Sequence, residues 1–271
     1  MGVSVTNRIS QIKQPTGGYL NPKDMERIQL NSDNTLNEEE NISPSLVGIA
    51  VDYLTRYMLN KNAEKSFAIS LIGAKLGFMD DIADKLIYRI KGLDDKSIIS
   101  ACKLASFDSI FRGGILAYKP VEEIEPDEST ISNIREMVNR SLRFFDEYGP
   151  IIADGFTFEG GYTSIVSSGD GDFITHDTLW DFKVSKDEPK TKYTLQLLMY
   201  YIMGQHSKKR YFKKVKYIGF YNPRLNVVYK YDTANLSIDL IKEIEKDIIG
   251  YNVWKNDYWV YHIEDSFYIV Y

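Results

Sequence analysis

Two carboxylates in the second half of the chain are spaced so that they could share a metal ion. Asp172 belongs to the segment 169–174 (GDGDFI) and Asp181 to the segment 179–185 (LWDFKVS), and a short turn separates the two. Both segments have strand-like sequences, so the turn is predicted to bring Asp172 nearly opposite Asp181 on neighbouring strands. Facing carboxylates repel each other unless a proton or a cation lies between them, and Mg²⁺ or Mn²⁺ takes oxygen ligands of this kind. The pattern therefore predicts a divalent-metal site.

A lysine completes this pattern. Lys183 lies two residues after Asp181, so both side chains are predicted on one face of a strand, with Trp180 and Phe182 on the other face. There the ammonium group could polarise a water molecule beside the ion, while the ion neutralises charge on a scissile phosphate. An Asp-x-Lys pair is also commonly an exposed ion pair, and Gly-Asp-Gly-Asp is commonly a simple turn. The hypothesis of a catalytic centre therefore depends on these parts occurring together.

The segment after these strands adds a helix and a run of basic residues. A helix is predicted over 191–206, in which Gln196 and Tyr200 share one face because they are four residues apart. Between Lys183 and Lys230 there are twelve Lys or Arg residues and two acids, although the net charge of the whole chain is −5. This polarisation is typical of a phosphate-binding surface, although a solvated lysine-rich surface has the same composition. The candidate substrate-binding residues in this region are Gln196, Tyr200, Lys186, Lys190 and Lys192.

Bulk composition limits the class of protein. The chain has 271 residues, of which 44% are hydrophobic and 26% are charged, as in globular domains. Its single cysteine excludes an internal disulfide framework and a cysteine-based zinc site. The sequence has neither a run of eighteen apolar residues nor a signal-like N-terminal segment, so we predict no membrane partner and a cytoplasmic location.

Hydrophobic periodicity divides the chain into a polar N-terminal arm over 1–42 and a single domain over 43–271. In the domain, residues 43–150 are predicted to be helical and residues 151–271 to form the β-rich core. The first helix is predicted to begin at Pro44, and further helices are predicted near 63–76, 79–91, 95–105, 107–117, 128–148, 191–206 and 236–249. Strands are predicted near 155–166, 170–175, 179–185, 215–221 and 225–231, with one or two more within 258–271.

Three of these features occur in the order that is found in the PD-(D/E)xK nuclease superfamily. The chain resembles the RecB-like, lambda-exonuclease-like branch, which carries a Gly-x-x-Asp strand, an Asp/Glu-x-Lys strand and a helix with Gln-x-x-x-Tyr. The matching segments are Gly169 to Asp172, Asp181 to Lys183 and Gln196 to Tyr200, within residues 155–205. The resemblance implies an α/β (α+β) fold, in which helices flank the mixed central sheet of a restriction-endonuclease-like core and a helical N-terminal half is added.

The resemblance also implies roles for particular residues. Asp172, Asp181 and the backbone carbonyl of Phe182 would bind Mg²⁺ or Mn²⁺, Lys183 would be the catalytic lysine, and Gln196 would position that lysine or the DNA backbone.

Two further metal ligands are suggested by the same branch. Its helical motif places His or an acid four residues after a glycine, and Asp52 stands in that place after Gly48, although an acid in mid-helix is also often merely exposed. Glu159 lies on the strand before Asp172, where it could bind the ion through water or pair with Lys183.

The sequence therefore predicts a divalent-metal-dependent DNA nuclease, and by its branch an exonuclease. An endonuclease with the same centre and a non-catalytic nucleic-acid-binding protein on a nuclease fold are the alternatives, and an unrelated α/β protein with a chance motif is a third. The sequence does not distinguish DNA from RNA as the partner, and it leaves a homo-oligomer open.

Overall fold

The computed structural model describes residues 2–32 and 34–251 of the chain. Within these residues the helices are α1 (Val5–Gln11), α2 (Pro44–Asn60), α3 (Ala63–Ser66), α4 (Ala68–Leu76), α5 (Asp80–Arg89), α6 (Asp95–Ala105), α7 (Asp108–Gly113), α8 (Glu128–Tyr148), α9 (Thr191–His206) and α10 (Ile238–Glu243). The strands are β1 (Val3–Ser4), β2 (Glu26–Gln29), β3 (Ala153–Thr157), β4 (Val166–Ser168), β5 (Asp170–Ile174), β6 (Thr178–Phe182), β7 (Tyr217–Asn222) and β8 (Val227–Asp232).

Six of these strands form one mixed sheet in the order β2-β8-β7-β6-β5-β3. The β6–β7 pair is parallel, and the other neighbouring pairs are antiparallel. A parallel pair needs a long crossover connection, which α9 supplies here between β6 and β7. The chain is thus an α+β protein with a mixed six-stranded sheet, as predicted.

Helices cover both faces of the sheet because the strand side chains alternate. Trp180 and Phe182 point into a hydrophobic cluster formed with the helices of the N-terminal half, where Trp180 contacts Phe144 of α8 edge to face. Leu179 and Ile218 point into a second cluster, which contains the buried side chains of α9 and α1. The end of β6 therefore lies between α2 and α8 on one face and α9 on the other.

Side-chain caps begin the two long helices of the N-terminal half. Ser43 accepts a hydrogen bond from the backbone N–H of Leu46 and so begins α2, with Pro44 in the first turn. Asp127 accepts from the backbone N–H of Thr130 at the start of α8, which ends at Gly149. This framework fixes α2 against the sheet.

The segment predicted as an arm is instead part of the fold. β2 pairs with β8 at the edge of the sheet, and α1 packs on α9. Asn37 exchanges hydrogen bonds with Asn133 of α8. The polar residues of this segment are satisfied by partners far away in the sequence, so local composition does not indicate that they are ordered.

Three other predicted elements are shorter than expected. The strand predicted over 155–166 is divided into β3 and β4 by a loop in which Gly160 has a φ of 87°, and β4 pairs with β1 outside the main sheet. The helix predicted over 107–117 ends at Gly114, which has a φ of 82°. The helix predicted over 236–249 is α10 followed by a π-helical segment, Ile244–Ile249. The strands predicted within 258–271 lie outside the described residues.

No helix in the described part of the chain has both the length and the apolar character needed to cross a membrane.

Candidate active site

The two aspartates of the predicted centre meet where β5 and β6 separate. The paired residues of these strands run from Ile174 and Leu179 to Phe173 and Trp180, one step short of the aspartates. Beyond that pair, the carboxylate of Asp172 accepts a hydrogen bond of 2.8 Å from the backbone N–H of Phe182. Asp172 is therefore held in the gap between the strands, beside the carboxyl end of β6.

Asp181 and Lys183 form an ion pair at the same place. Lys183 Nζ donates a hydrogen bond of 3.0 Å to Asp181 Oδ1 and lies 2.7 Å from Oδ2. The Asp181 side chain is 3% exposed, whereas those of Lys183 and Asp172 are 28% and 30% exposed. The pair is thus buried at its acidic end and accessible to solvent at its lysine and at Asp172.

Burial leaves the Asp181 carboxylate incompletely compensated. Oδ2 is inaccessible to solvent, and it accepts no geometrically sound hydrogen bond from the described residues, although Lys183 stands beside it. Burial raises the pKa of Asp181 to about 6 despite the opposing effect of Lys183, and the charge of Asp172 adds to the increase. Burial alone would lower the pKa of Lys183, but Asp181 and Asp172 outweigh it and raise that pKa. Lys183 is therefore cationic at neutral pH.

Helix α2 brings a third acid and an arginine to these strands. Asp52 and Arg56 are four residues apart on one face of α2, and Arg56 Nε donates to Asp52 Oδ1 at 2.9 Å. Gly48, one turn earlier, is placed so that an added Cβ would lie 3.7 Å from Val184, just after β6. Asp52, which was predicted from the helical motif, thus lies on the helix face that meets the centre.

Burial raises the pKa of Asp52 to about 6, against the lowering effect of Arg56. The charge of Asp172 contributes to the increase, as it does for Asp181. The three acids therefore form one electrostatic unit.

Arg56 contacts acids from three different elements. Besides Asp52, it forms an ion pair with Asp154 of β3, and its Nη2 lies 3.6 Å from Asp172 Oδ1. Its guanidinium also stacks over the ring of Phe173, 4.4 Å from the centroid. We call Asp52, Asp154, Asp172 and Asp181, together with the cations Arg56 and Lys183, the acidic cluster.

The acidic cluster carries more negative than positive charge. Its four carboxylates face two cationic side chains, which leaves a formal excess of two negative charges when all the groups are ionised. A hard divalent cation with oxygen ligands matches both this excess and the solvent-inaccessible Asp181 Oδ2. However, no group of three or more His, Cys, Asp or Glu side chains among the described residues is placed to hold a metal ion. The protein ligands of such an ion would therefore be Asp172, Asp181 and the backbone carbonyl of Phe182, which is the set that the motif resemblance implies.

Helix α9 faces the cluster from the other side of the sheet. Gln196 and Tyr200 are both buried, and Gln196 Nε2 donates to the Tyr200 hydroxyl at 2.8 Å. The pKa of Tyr200 is raised by burial and by the nearby charge of Asp181. Tyr200 therefore lies within range of the charge of Asp181, and its hydrogen bond with Gln196 is internal to the helix.

The predicted basic residues divide into two groups. Lys192 Nζ lies 5.0 Å from the centroid of the Tyr193 ring, and Lys183 Nζ lies 5.3 Å from the same centroid, so Lys192 adjoins the cluster. Lys186 instead donates to the backbone carbonyl of Glu38, and Lys190 pairs with Asp187 at the surface. The contacts of these two lysines lie outside the acidic cluster.

The prediction that Glu159 lies on the strand before Asp172, as a metal ligand or a partner of Lys183, is wrong. Glu159 lies beyond the end of β3 and is exposed, and its backbone carbonyl accepts hydrogen bonds from the Lys208 N–H and the Ser207 hydroxyl. The residue of β3 that joins the cluster is Asp154. Because β3 begins and ends earlier than predicted, the acid that this strand supplies lies five residues before the predicted one.

Three residues of the site were not predicted from the sequence: Arg56, Asp154 and Tyr193. Asp52 and Arg56 have the spacing of an ordinary helical ion pair, so the only local signal was one that is common on exposed helices. Asp154 has no motif around it, and Tyr193 is one of twenty tyrosines. Only the packing of α2 and α9 against the sheet identifies these residues.

The chain matches no protein-family model, and no curated protein or solved structure matches it. A function is therefore inferred from the geometry of the acidic cluster and from the motif resemblance.

Proposed function

We propose that this chain is a divalent-metal-dependent DNA nuclease on a restriction-endonuclease-like core. The observation that carries the proposal is the convergence of Asp172, Asp181 and Lys183 at the end of β6, where the buried Asp181 carboxylate has Lys183 as its partner and also feels the charge of Asp172. Carboxylates that lie this close to one another are stabilised by a further cation. The partial exposure of Lys183 and Asp172 leaves the centre accessible to a substrate.

Each group has a role in this proposal. Asp172, Asp181 and the backbone carbonyl of Phe182 would hold Mg²⁺ or Mn²⁺, which when bound would neutralise phosphate charge and acidify a water molecule. Lys183 carries a proton on Nζ at neutral pH and can donate hydrogen bonds to a phosphate oxygen or to that water. The Phe182 N–H fixes Asp172, and Gln196 donates to the hydroxyl of Tyr200, which lies within range of the charge of Asp181.

The DNA backbone would reach the cluster along the start of α9. Lys192 flanks the ring of Tyr193 together with Lys183, so a phosphate at Lys183 would have a second cation near it. Action at DNA ends is proposed from the motif resemblance to exonucleases.

A non-catalytic nucleic-acid-binding protein is the second candidate, and Arg56 is the observation that favours it. Because Arg56 contacts three carboxylates, much of the acidic charge is compensated without a metal ion. This candidate predicts DNA binding without cleavage at any concentration of Mg²⁺ or Mn²⁺.

The test is to incubate end-labelled linear duplex DNA and a closed circle of the same sequence with the protein and Mg²⁺. We expect the linear DNA to be degraded and the circle to survive, whereas an endonuclease would also linearise the circle. Lys183→Gln should slow cleavage about a hundredfold or more, as expected when a group that stabilises transition-state charge is removed. Lys103→Gln, which makes the same change in an ion pair with Glu125 outside the acidic cluster, should leave cleavage within about twofold of wild type. Absence of cleavage by the wild type with either ion, or equal cleavage by Lys183→Gln, would contradict the proposal.

A further inference from the structure

The guanidinium of Arg56 lies among three carboxylates of the acidic cluster, as a bound metal cation would. Each of three carboxylates is closest to a different nitrogen atom of Arg56: Asp52 to Nε, Asp154 to Nη1 and Asp172 to Nη2. These acids come from α2, β3 and β5, so one planar guanidinium connects a helix with two strands. The Arg56 side chain is 13% exposed and its face is covered by Phe173, which favours ion pairing over hydration.

The three contacts are not equally strong. Arg56 Nε is 2.9 Å from Asp52 Oδ1, within hydrogen-bond distance, and Nη1 is in direct contact with Asp154. Nη2 is 3.6 Å from Asp172 Oδ1, beyond hydrogen-bond distance, and Asp172 is the most exposed of these three acids. Asp172 is therefore the partner that Arg56 would release first.

We propose that Arg56 is the internal cation of the metal-free protein, which holds Asp52, Asp154 and Asp172 together and competes with a divalent cation for Asp172. This inference rests on the proposed function, because it needs Asp172 to be a metal ligand. When a divalent cation binds, Arg56 keeps Asp52 and Asp154 and gives up Asp172.

Two consequences follow from thermodynamic linkage. If Arg56 and the ion compete for Asp172, removing Arg56 must tighten metal binding. Removing it also leaves Asp52, Asp154 and Asp172 to repel one another, so the folded protein should then depend on the metal ion for stability. Removing a purely structural arginine would destabilise the folded protein equally with and without the metal ion.

Arg140 of α8 provides such a structural control. It is 6% exposed, and its guanidinium donates to Glu136 and to the backbone carbonyls of Asn34, Pro223 and Arg224. Arg140→Gln and Arg56→Gln are thus the same chemical change at two buried sites, one outside and one inside the acidic cluster.

The first measurement is thermal unfolding of the wild type and both variants, in EDTA and in Mg²⁺. We expect both variants to melt below the wild type in EDTA. Mg²⁺ should raise the Tm of Arg56→Gln by about 5 °C more than it raises that of Arg140→Gln, since each kcal/mol moves the Tm of a domain this size by about 2–4 °C. The second measurement is calorimetric titration of Mg²⁺ into each protein without nucleic acid. Arg56→Gln should bind about five- to tenfold more tightly than the wild type.

A double variant covers the case in which Arg56→Gln does not fold. Asp154→Asn combined with Arg56→Gln removes one charge of each sign, so the net charge of the acidic cluster is unchanged while the competing cation is gone. It should also bind Mg²⁺ more tightly than the wild type.

The outcomes separate this inference from the proposed function. If the wild type binds Mg²⁺ and cleaves DNA but the Arg56 variants bind Mg²⁺ no more tightly, Arg56 does not compete and the inference is wrong while the function stands. If neither the wild type nor the Arg56 variants bind Mg²⁺, the proposed function itself is overturned. Tighter binding in both Arg56 variants, with Arg140→Gln unchanged, supports both.

Discussion

Two buried charge networks in this molecule both combine acids with cations but have opposite charge balances. Around Glu136, the carboxylate accepts hydrogen bonds from Ser32, Asn34, Arg140 and Arg143. In the acidic cluster, Asp181 accepts from Lys183 at Oδ1, and the same ammonium lies 2.7 Å from Oδ2. The first network satisfies its acid with four donors, whereas Asp181 has one lysine as its partner among the described residues.

The pKa values move accordingly. Burial alone would raise the pKa of Glu136, but the hydrogen bonds from Asn34, Ser32 and Arg143 outweigh it and lower that pKa. Burial raises the pKa of Asp52 and of Asp181 to about 6 in spite of their cationic neighbours. A buried acid with a lowered pKa stabilises the ionised folded state, whereas one with a raised pKa destabilises it. The comparison indicates that the Glu136 network holds the fold together and that the acidic cluster is kept for another purpose.

The largest effect should come from breaking the satisfied network. Glu136→Ala leaves Arg140 buried without its carboxylate partner, and such a change costs about 3–5 kcal/mol of the free energy of unfolding. Chemical denaturation should detect this loss equally in EDTA and in Mg²⁺. A loss that Mg²⁺ reversed would remove the distinction between the two networks.

Removing the charge of Asp181 should have the opposite effect on stability. Asp181→Asn should lower DNA cleavage about a hundredfold or more. In EDTA at neutral pH it should also stabilise the fold by about 1–3 kcal/mol, because a carboxyl group whose pKa is raised to about 6 is ionised there at a cost. Denaturation in urea measures the second effect. A destabilised Asp181→Asn protein would mean that Asp181 serves the fold as Glu136 does.

The pH dependence of stability should separate the networks further. For Asp52 and Asp181, the folded protein binds protons more tightly than the unfolded chain, so their contribution to stability is present near pH 4 and is lost as the pH rises through about 6. In EDTA the wild type should therefore lose stability between pH 5 and pH 7.5 relative to Asp181→Asn, by a few degrees in Tm. Parallel Tm profiles for the two proteins would contradict the raised pKa of Asp181.

The smallest effect on cleavage and stability is expected from a substitution in α9. Tyr200→Phe removes the acceptor of the Gln196 side chain and leaves a buried amide unsatisfied, at a cost of about 1–3 kcal/mol. Since the hydrogen bond between Gln196 and Tyr200 is internal to α9, cleavage should fall by only about tenfold. Single-turnover cleavage rates and denaturation midpoints test this together. A loss of cleavage as large as that of Asp181→Asn would place Tyr200 among the catalytic groups.

The sequence predicted the elements whose signals are local. The start of α2 at Pro44, the end of α8 at Tyr148 and the strand pair that carries Asp172 and Asp181 all follow from short patterns. Periodicity also predicted a helical half followed by a β-rich core, whereas the mixed sheet was implied by the motif resemblance.

Long-range contacts account for what the sequence analysis missed. β2 is ordered by its pairing with β8, about two hundred residues later, and nothing in its own composition indicates this. Arg56 and Asp154 join the cluster only because α2 packs against the edge of the sheet. Glu159 was expected on the strand, but β3 ends at Thr157 and Glu159 lies in the loop that contains Gly160.

Binding of Mn²⁺ to the protein alone, followed by electron paramagnetic resonance at pH 7.5, tests most directly whether the acidic cluster holds a divalent cation. We predict one saturable site that is lost in Asp172→Ala and in Asp181→Asn. The site should be retained in Glu136→Gln, which changes the charge of the network around Glu136. No saturable site in the wild type, or equal binding by Asp181→Asn, would show that the acidic cluster does not hold a divalent cation.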